Sequence, residues 1–253
     1  MPEESLHTID DVLEELDDIL QMSLQEESPL TLFAFVYRRT TAKIARGIEK
    51  GRFEDAALME TFDVAFAKRY IQAFHNHRLG KPVPFAWEVA FGSAEKGDIT
   101  IMQHVLLGMN AHINLDLGIA AVEVAPGQKL DSLKSDFFTV NDLLEELINE
   151  MQQRIGRVSP LMILLDWLGE DTDEAIINFS IEKARAFAWA FARNLNNAGE
   201  EEEDQLVREV DEQVAGIAKR IANPPGFLLP KALSLIRLFE EKDVRKIVDR
   251  LRN

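Results

Sequence analysis

The apolar positions of this chain recur at steps of three and four residues almost throughout, and runs rich in Val, Ile and Thr that alternate with polar residues between turns are missing. That spacing belongs to helices laid against a core and not to strands. The first periodic stretch, Val12, Leu13, Leu16, Ile19 and Leu20, follows Thr8 with Asp11 three residues on, which predicts a helix opened by a capping box. A second is predicted from Pro29 through Leu32, Phe33, Val36, Ile44 and Ile48 to a stop at Lys50-Gly51. A third opens at Asp55 and runs to about Leu79, where Gly80-Lys81-Pro82-Val83-Pro84 ends it. Phe85 to Ala94 reads as a short helix closed by Lys96-Gly97-Asp98, and a long apolar helix follows from about Thr100 to Ala125.

Further helices are expected from about Asp136 to Ile155, from Pro160 to Leu168, and from a cap at Asp171 or Thr172 to Asn197. The acidic run Glu200 to Asp204 reads as an exposed loop and helix start, because acidic side chains favour the positive end of a helix. That helix reaches Ala222, Asn223-Pro224-Pro225-Gly226 breaks it, and two short helices finish the chain. The expectation is an all-α, multi-helix bundle of about nine to eleven helices around one buried central helix. Residues 1–222 read as a helical core domain and 223–253 as C-terminal helices packed on it. The apolar stripe Leu228, Leu229, Leu233, Ile236 and Leu238 leaves two uses open, closing the core or joining two copies in a homodimer.

Composition narrows the function classes. With 253 residues, 46% of them hydrophobic, the chain is long enough to bury a large core. Its 28 Lys and Arg stand against 44 Asp and Glu, a formal charge of −16, so its field repels phosphate backbones and nucleic acid is not an expected partner. There is no cysteine, which excludes disulfides, thiolate ligands and cysteine nucleophiles. The acidic start Met1-Pro2-Glu3-Glu4 lacks the features of a signal peptide, and the apolar helix is interrupted by His104, His112, Asp116 and Glu123, so no membrane span is expected and the cytoplasm is the expected location.

The candidate chemistry sits on that central helix. At about 100° per residue, His104, Gly108, His112 and Asp116 follow one ridge, and Asn110 and Asn114 a second ridge far round the cylinder. A helix apolar in the directions between is buried nearly all round, so these polar groups must be satisfied inside the protein. A His and an Asp one turn apart suit one divalent metal ion, Zn, Fe or Mn, with Gly108 leaving room for substrate, solvent or another helix. His104 and Asp63 are the further candidate ligands, Asp63 sharing a face of the third helix with Ala67, Tyr70, Phe74 and His77. The same His and Asp also make a hydrogen-bonded pair that holds two helices in register, and spacing alone does not separate the two uses. A second group, Asn178, Glu182, Arg185, Trp189 and Asn196, shares a face of the alanine-rich helix. There Arg185 is expected to pair with Glu182, to stack on Trp189, or to hold a carboxylate or anion. No phosphate loop, dinucleotide fingerprint or nucleophile elbow is present.

The run Leu107 to Leu117, with Phe62 to Ala67, Arg69-Tyr70, Ala86-Trp87, Asp136-Phe137, Val140-Asn141, Ile181 to Arg185 and Ala188-Trp189, resembles an uncharacterised family of bacterial all-helical proteins marked by an Asn-Ala-His-Ile-Asn-x-Asp-Leu core. The resemblance covers roughly Leu30 to Leu195 and implies no activity. More distantly, Leu107, Gly108, His112 and Asp116 are similar to the metal-binding helix of helical zinc-dependent phospholipase C and nuclease proteins. That likeness implies His and Asp ligands and phosphoester hydrolysis by a metal-activated water. No Pro-x-His follows Asp116 and no His lies beyond position 112, so one reduced metal site is the most it implies. Two functions are therefore expected. One is a metal-assisted hydrolase with His112 and Asp116 as ligands, Asp63 and His104 as further ligands or base, Tyr70 and Asn114 as polarising groups, and Arg185 holding an anionic substrate. The other is a non-catalytic protein binding a small or lipid-like ligand.

Overall fold

The predicted capping box forms. Thr8 accepts from the Asp11 N–H while Asp11 accepts from Thr8 N–H, and α1 (Ile9–Gln25) buries Ile9, Val12, Leu16, Ile19 and Leu20. The structure, a computed structural model, describes residues 6–159, 161 and 180–252. The expected short helix from Pro160 to Leu168, the cap at Asp171 or Thr172 and Asn178 lie outside the described residues. Helices α2 (Leu30–Glu49), α3 (Ala56–Arg78) and α4 (Phe85–Lys96) stand where the pattern placed them. Asp55 caps α3 through the Leu58 N–H. Gly97, in the left-handed conformation at φ 58°, ends α4. Among the described residues there is no strand, and the fold is an all-α bundle.

The central helix is in three parts: α5 (Ile101–Ala111), a π-helical turn (His112–Asp116), and α6 (Leu117–Val124). After a 3₁₀ turn, α7 (Leu130–Val158) begins six residues before the expected start at Asp136. Asp136 lies inside α7, where its carboxylate accepts from the Glu54 and Asp55 N–H groups at 2.7 and 2.8 Å and fixes the loop that opens α3. The alanine-rich helix, α8 (Ile181–Asn197), begins after Ser180, whose hydroxyl accepts from Lys183 N–H. It is followed by α9 (Glu200–Ala222), α10 (Leu228–Phe239) and α11 (Val244–Arg252).

α2, α4 and α9 pack round α5, and α3 and α8 round α6, so the central helix is enclosed. Residues 101–124 are long and apolar enough to cross a membrane by length and composition, with a mean hydropathy of 1.4, but 78% of that stretch is buried among the other helices. Two glycines allow the closest approaches. A Cβ on Gly108 would fall 2.3 Å from the Phe33 ring of α2, and one on Gly118 would fall 2.6 Å from the Phe191 ring of α8. Gly108 therefore makes room for a neighbouring helix, the last of the three uses expected for it.

Candidate functional site

The two ridges of the central helix meet different surroundings. On one, Gln103 accepts from Thr100 N–H as part of the α5 capping box and donates to the carbonyls of Ile221 and Ala222. Asn110 Nδ2 donates to the Val214 carbonyl at 3.0 Å, and Asn114 Nδ2 donates to Asn110 Oδ1 at 3.0 Å. These amides tie the central helix to α9, so the structure groups Asn114 with Asn110 and not with the histidine.

On the other ridge, Trp87 Nε1–H donates to Asp116 Oδ2 at 2.9 Å. The same oxygen lies 3.0 Å from His112 Nδ1. A carboxylate oxygen accepts, so Nδ1 carries the proton and Nε2 keeps its lone pair. Burial pushes the His112 pKa down against the pull of Asp116, which keeps the ring neutral. The π turn spans both residues, its Leu117 N–H donating to the His112 carbonyl. Such turns recur at functional sites.

Aromatic rings form a box round this imidazole. Phe66 stacks on it at 3.6 Å between centroids with planes 7° apart, and Tyr37 meets it edge-on at 4.4 Å. Phe33, Tyr70 and Trp87 stand about one further ring away. Three polar atoms in this region are buried without a hydrogen bond: His112 Nε2, Tyr37 Oη and Asp63 Oδ2. Burial, then the nearby Glu60, raises the Asp63 pKa to about 7, and burial together with the charge of Asp63 raises that of Tyr37. Tyr70 is raised by burial alone.

The other candidates are placed apart. His104 and Gly108 line a cleft of about 20 Å³ with Phe33, Tyr70 and Trp87, separated from His112 by those rings. A void of that size holds about one water molecule. Burial lowers the His104 pKa to about 4, so it too is neutral. Among the described residues, no three His, Asp or Glu side chains stand together as a metal site. Arg185 neither pairs with Glu182 nor stacks on Trp189. Its guanidinium lies 4.4 Å over the Phe137 ring and donates to the Phe137 carbonyl, and burial lowers its pKa to about 9. A wider groove of about 690 Å³ between α4 and α9 is lined by Glu88, Lys96, Glu212 and Lys219 and by none of the candidate site residues.

Trp87 and Tyr37 join the site although helical spacing alone marks them only as core aromatics. The signal available was the indole N–H, which needs an acceptor when buried, and an Asp in the most apolar helix is the natural one. Asp211 was missed as well. Its carboxylate accepts from the Phe85 and Ala86 N–H groups and so fixes the first turn of α4, which carries Trp87.

Fold and site together define an all-α protein whose central helix holds a buried His–Asp pair inside an aromatic box. Over residues 9–224 the chain matches the family of unknown function DUF5995, and it belongs to that family. The matched span contains the whole box and stops before the last two helices. No curated protein and no solved structure matches the chain.

Proposed function

We propose that this chain binds a small, mostly apolar molecule that carries a hydroxyl or N–H, with His112 Nε2 accepting from that donor inside the aromatic box. The observation behind this reading is the unpartnered Nε2. A purely structural His–Asp pair would have both ring nitrogens satisfied, since an unmade buried hydrogen bond costs about 1–3 kcal/mol. The rings close on the imidazole and the neighbouring cleft of about 20 Å³ holds one water, so a ligand of this kind enters the box by displacing the Tyr37 or Phe66 ring.

A hydrolase is the second reading. An imidazole whose Nδ1–H is held by a carboxylate is the arrangement of a general base. A divalent metal would find His112 Nε2 as a free donor in the box, fewer than the three protein ligands of a catalytic zinc site. Asp116 Oδ2 is already engaged by two donors.

His112→Phe keeps the ring stacked on Phe66 and removes the acceptor. Phenol, a hydroxyl on an apolar body, should raise the melting temperature of the wild type by mass action and leave His112→Phe unmoved. It should also shift the Nε2 resonance in ¹⁵N spectra. Equal stabilisation of both proteins, or a silent Nε2 at millimolar phenol, would reject the binding reading. Stoichiometric Zn, Fe or Mn in protein purified without chelator, lost in His112→Ala, would restore the metal-assisted hydrolase.

A further inference from the structure

Helix α10 is apolar on two opposite faces. Leu229, Leu233 and Ile236 are buried against the body, whereas Phe227, Leu228, Leu235, Leu238 and Phe239 face outward, from 45% exposed at Leu235 to 71% at Leu238. Isolated exposed leucines need no explanation, but a contiguous row of five large side chains on one short helix does. Leu228, Lys231, Leu235 and Leu238 follow each other at steps of three, four and three, the spacing of a coiled-coil seam on the solvent side. Lys231 belongs to the same ridge, its ammonium resting 3.8 Å from the Phe227 ring centre.

The ridge is also self-complementary about its midpoint. Phe227 and Phe239 are equidistant from Leu233, as are Leu228 and Leu238, and Lys231 and Leu235. Two copies of α10 packed antiparallel across a two-fold axis at Leu233 would set Phe227 against the partner's Phe239. Leu228 would meet the partner's Leu238, and Lys231 the partner's Leu235. An isologous contact demands such a patch, one whose halves fit each other after a two-fold rotation.

We propose that the outward face of α10 is a homodimer interface. The five side chains present roughly 500 Å² of apolar surface per protomer, and the stems of Lys231 and Lys242 with the Pro224-Pro225 turn bring it near the ~800 Å² per partner of a standard interface. Residues 223–253 hold seven Lys and Arg against four Asp and Glu, a small net positive charge that opposes self-contact only weakly, and the larger repulsion between two copies comes from the acidic bodies, which salt screens. The last two helices fall outside the span matched by the family, so the interface is an addition to the core and does not draw on the His112 box.

Sedimentation of the full chain from low to several hundred micromolar should show a monomer–dimer equilibrium with a dissociation constant in the micromolar range, tightening as salt screens the acidic bodies. Leu238→Glu should be monomeric throughout, with unchanged helicity and melting temperature at dilute concentration. Because the chain has no cysteine, register can be read directly. Ser234→Cys, one residue from the axis, should cross-link into a covalent dimer under mild oxidation, and Leu228→Cys alone should not, although Leu228→Cys combined with Leu238→Cys should. A wild type that stays monomeric in high salt, or Leu228→Cys cross-linking as fast as Ser234→Cys, overturns the proposal. So does wild-type binding to phosphatidylserine vesicles that Leu238→Glu abolishes, which would assign the face to lipid.

Discussion

The amide ridge and the imidazole ridge lie on one helix, are equally buried, and are finished to different degrees. Along Gln103, Asn110 and Asn114 the side-chain nitrogens find partners, mostly carbonyls of α9. At His112, at Tyr37 edge-on to its ring and at Asp63 on α3, three polar atoms stay without partners. Interiors rarely leave such groups unsatisfied. The difference separates polar residues that fasten the fold from those to which the proposed binding is assigned.

Breaking the finished ridge should have the largest effect. Asn110→Ala leaves the Asn114 amide without its acceptor, removes the tie to the Val214 carbonyl and opens a small cavity. Chemical denaturation should show a loss of about 3–4 kcal/mol with no pH dependence.

Asp63→Asn should act in the opposite direction, because it removes a carboxyl whose buried charge nothing offsets. The Asp63 pKa rises from 3.8 unfolded to about 7 folded, so the folded state holds the extra proton between those values. Its contribution to stability is full below pH 4 and is lost as pH rises to 7. At pH 8 the variant should be more stable than the wild type by about 2–3 kcal/mol, and the gap should close toward pH 4. A gap independent of pH would show that Asp63 is already paired.

The smallest change should come from His112→Phe, which preserves packing and leaves Asp116 with the Trp87 donor. A cost of about 1 kcal/mol is expected, against about 3 kcal/mol if His112 were as deeply networked as Asn110. A large loss would place the two ridges in the same class.

Features carried by neighbouring residues were legible in the sequence. The Thr8–Asp11 box, the Asp55 cap, the enclosed helix near Thr100 to Ala125 and the contact between His112 and Asp116 all follow from spacing. Features decided by distant partners were not. Arg185 found Phe137, 48 residues away, where spacing offered Glu182 and Trp189. Asp136 looked like a helix start and became a clamp on a loop 81 residues earlier. A π turn, where the ridge spacing implied a continuous α-helix, occupies the segment in which His112 bonds Asp116 directly.

That π turn can also be read as one extra residue that the helix absorbed while both of its ends stayed packed. Deleting Ile113 would return the segment to ordinary α geometry with α5 and α6 still seated on α2 and α8. The helix would survive and only the alignment of His112 with Asp116 would be lost. Sequence length alone would then sort members of the family, those one residue shorter between His and Asp having kept the scaffold and given up the centre.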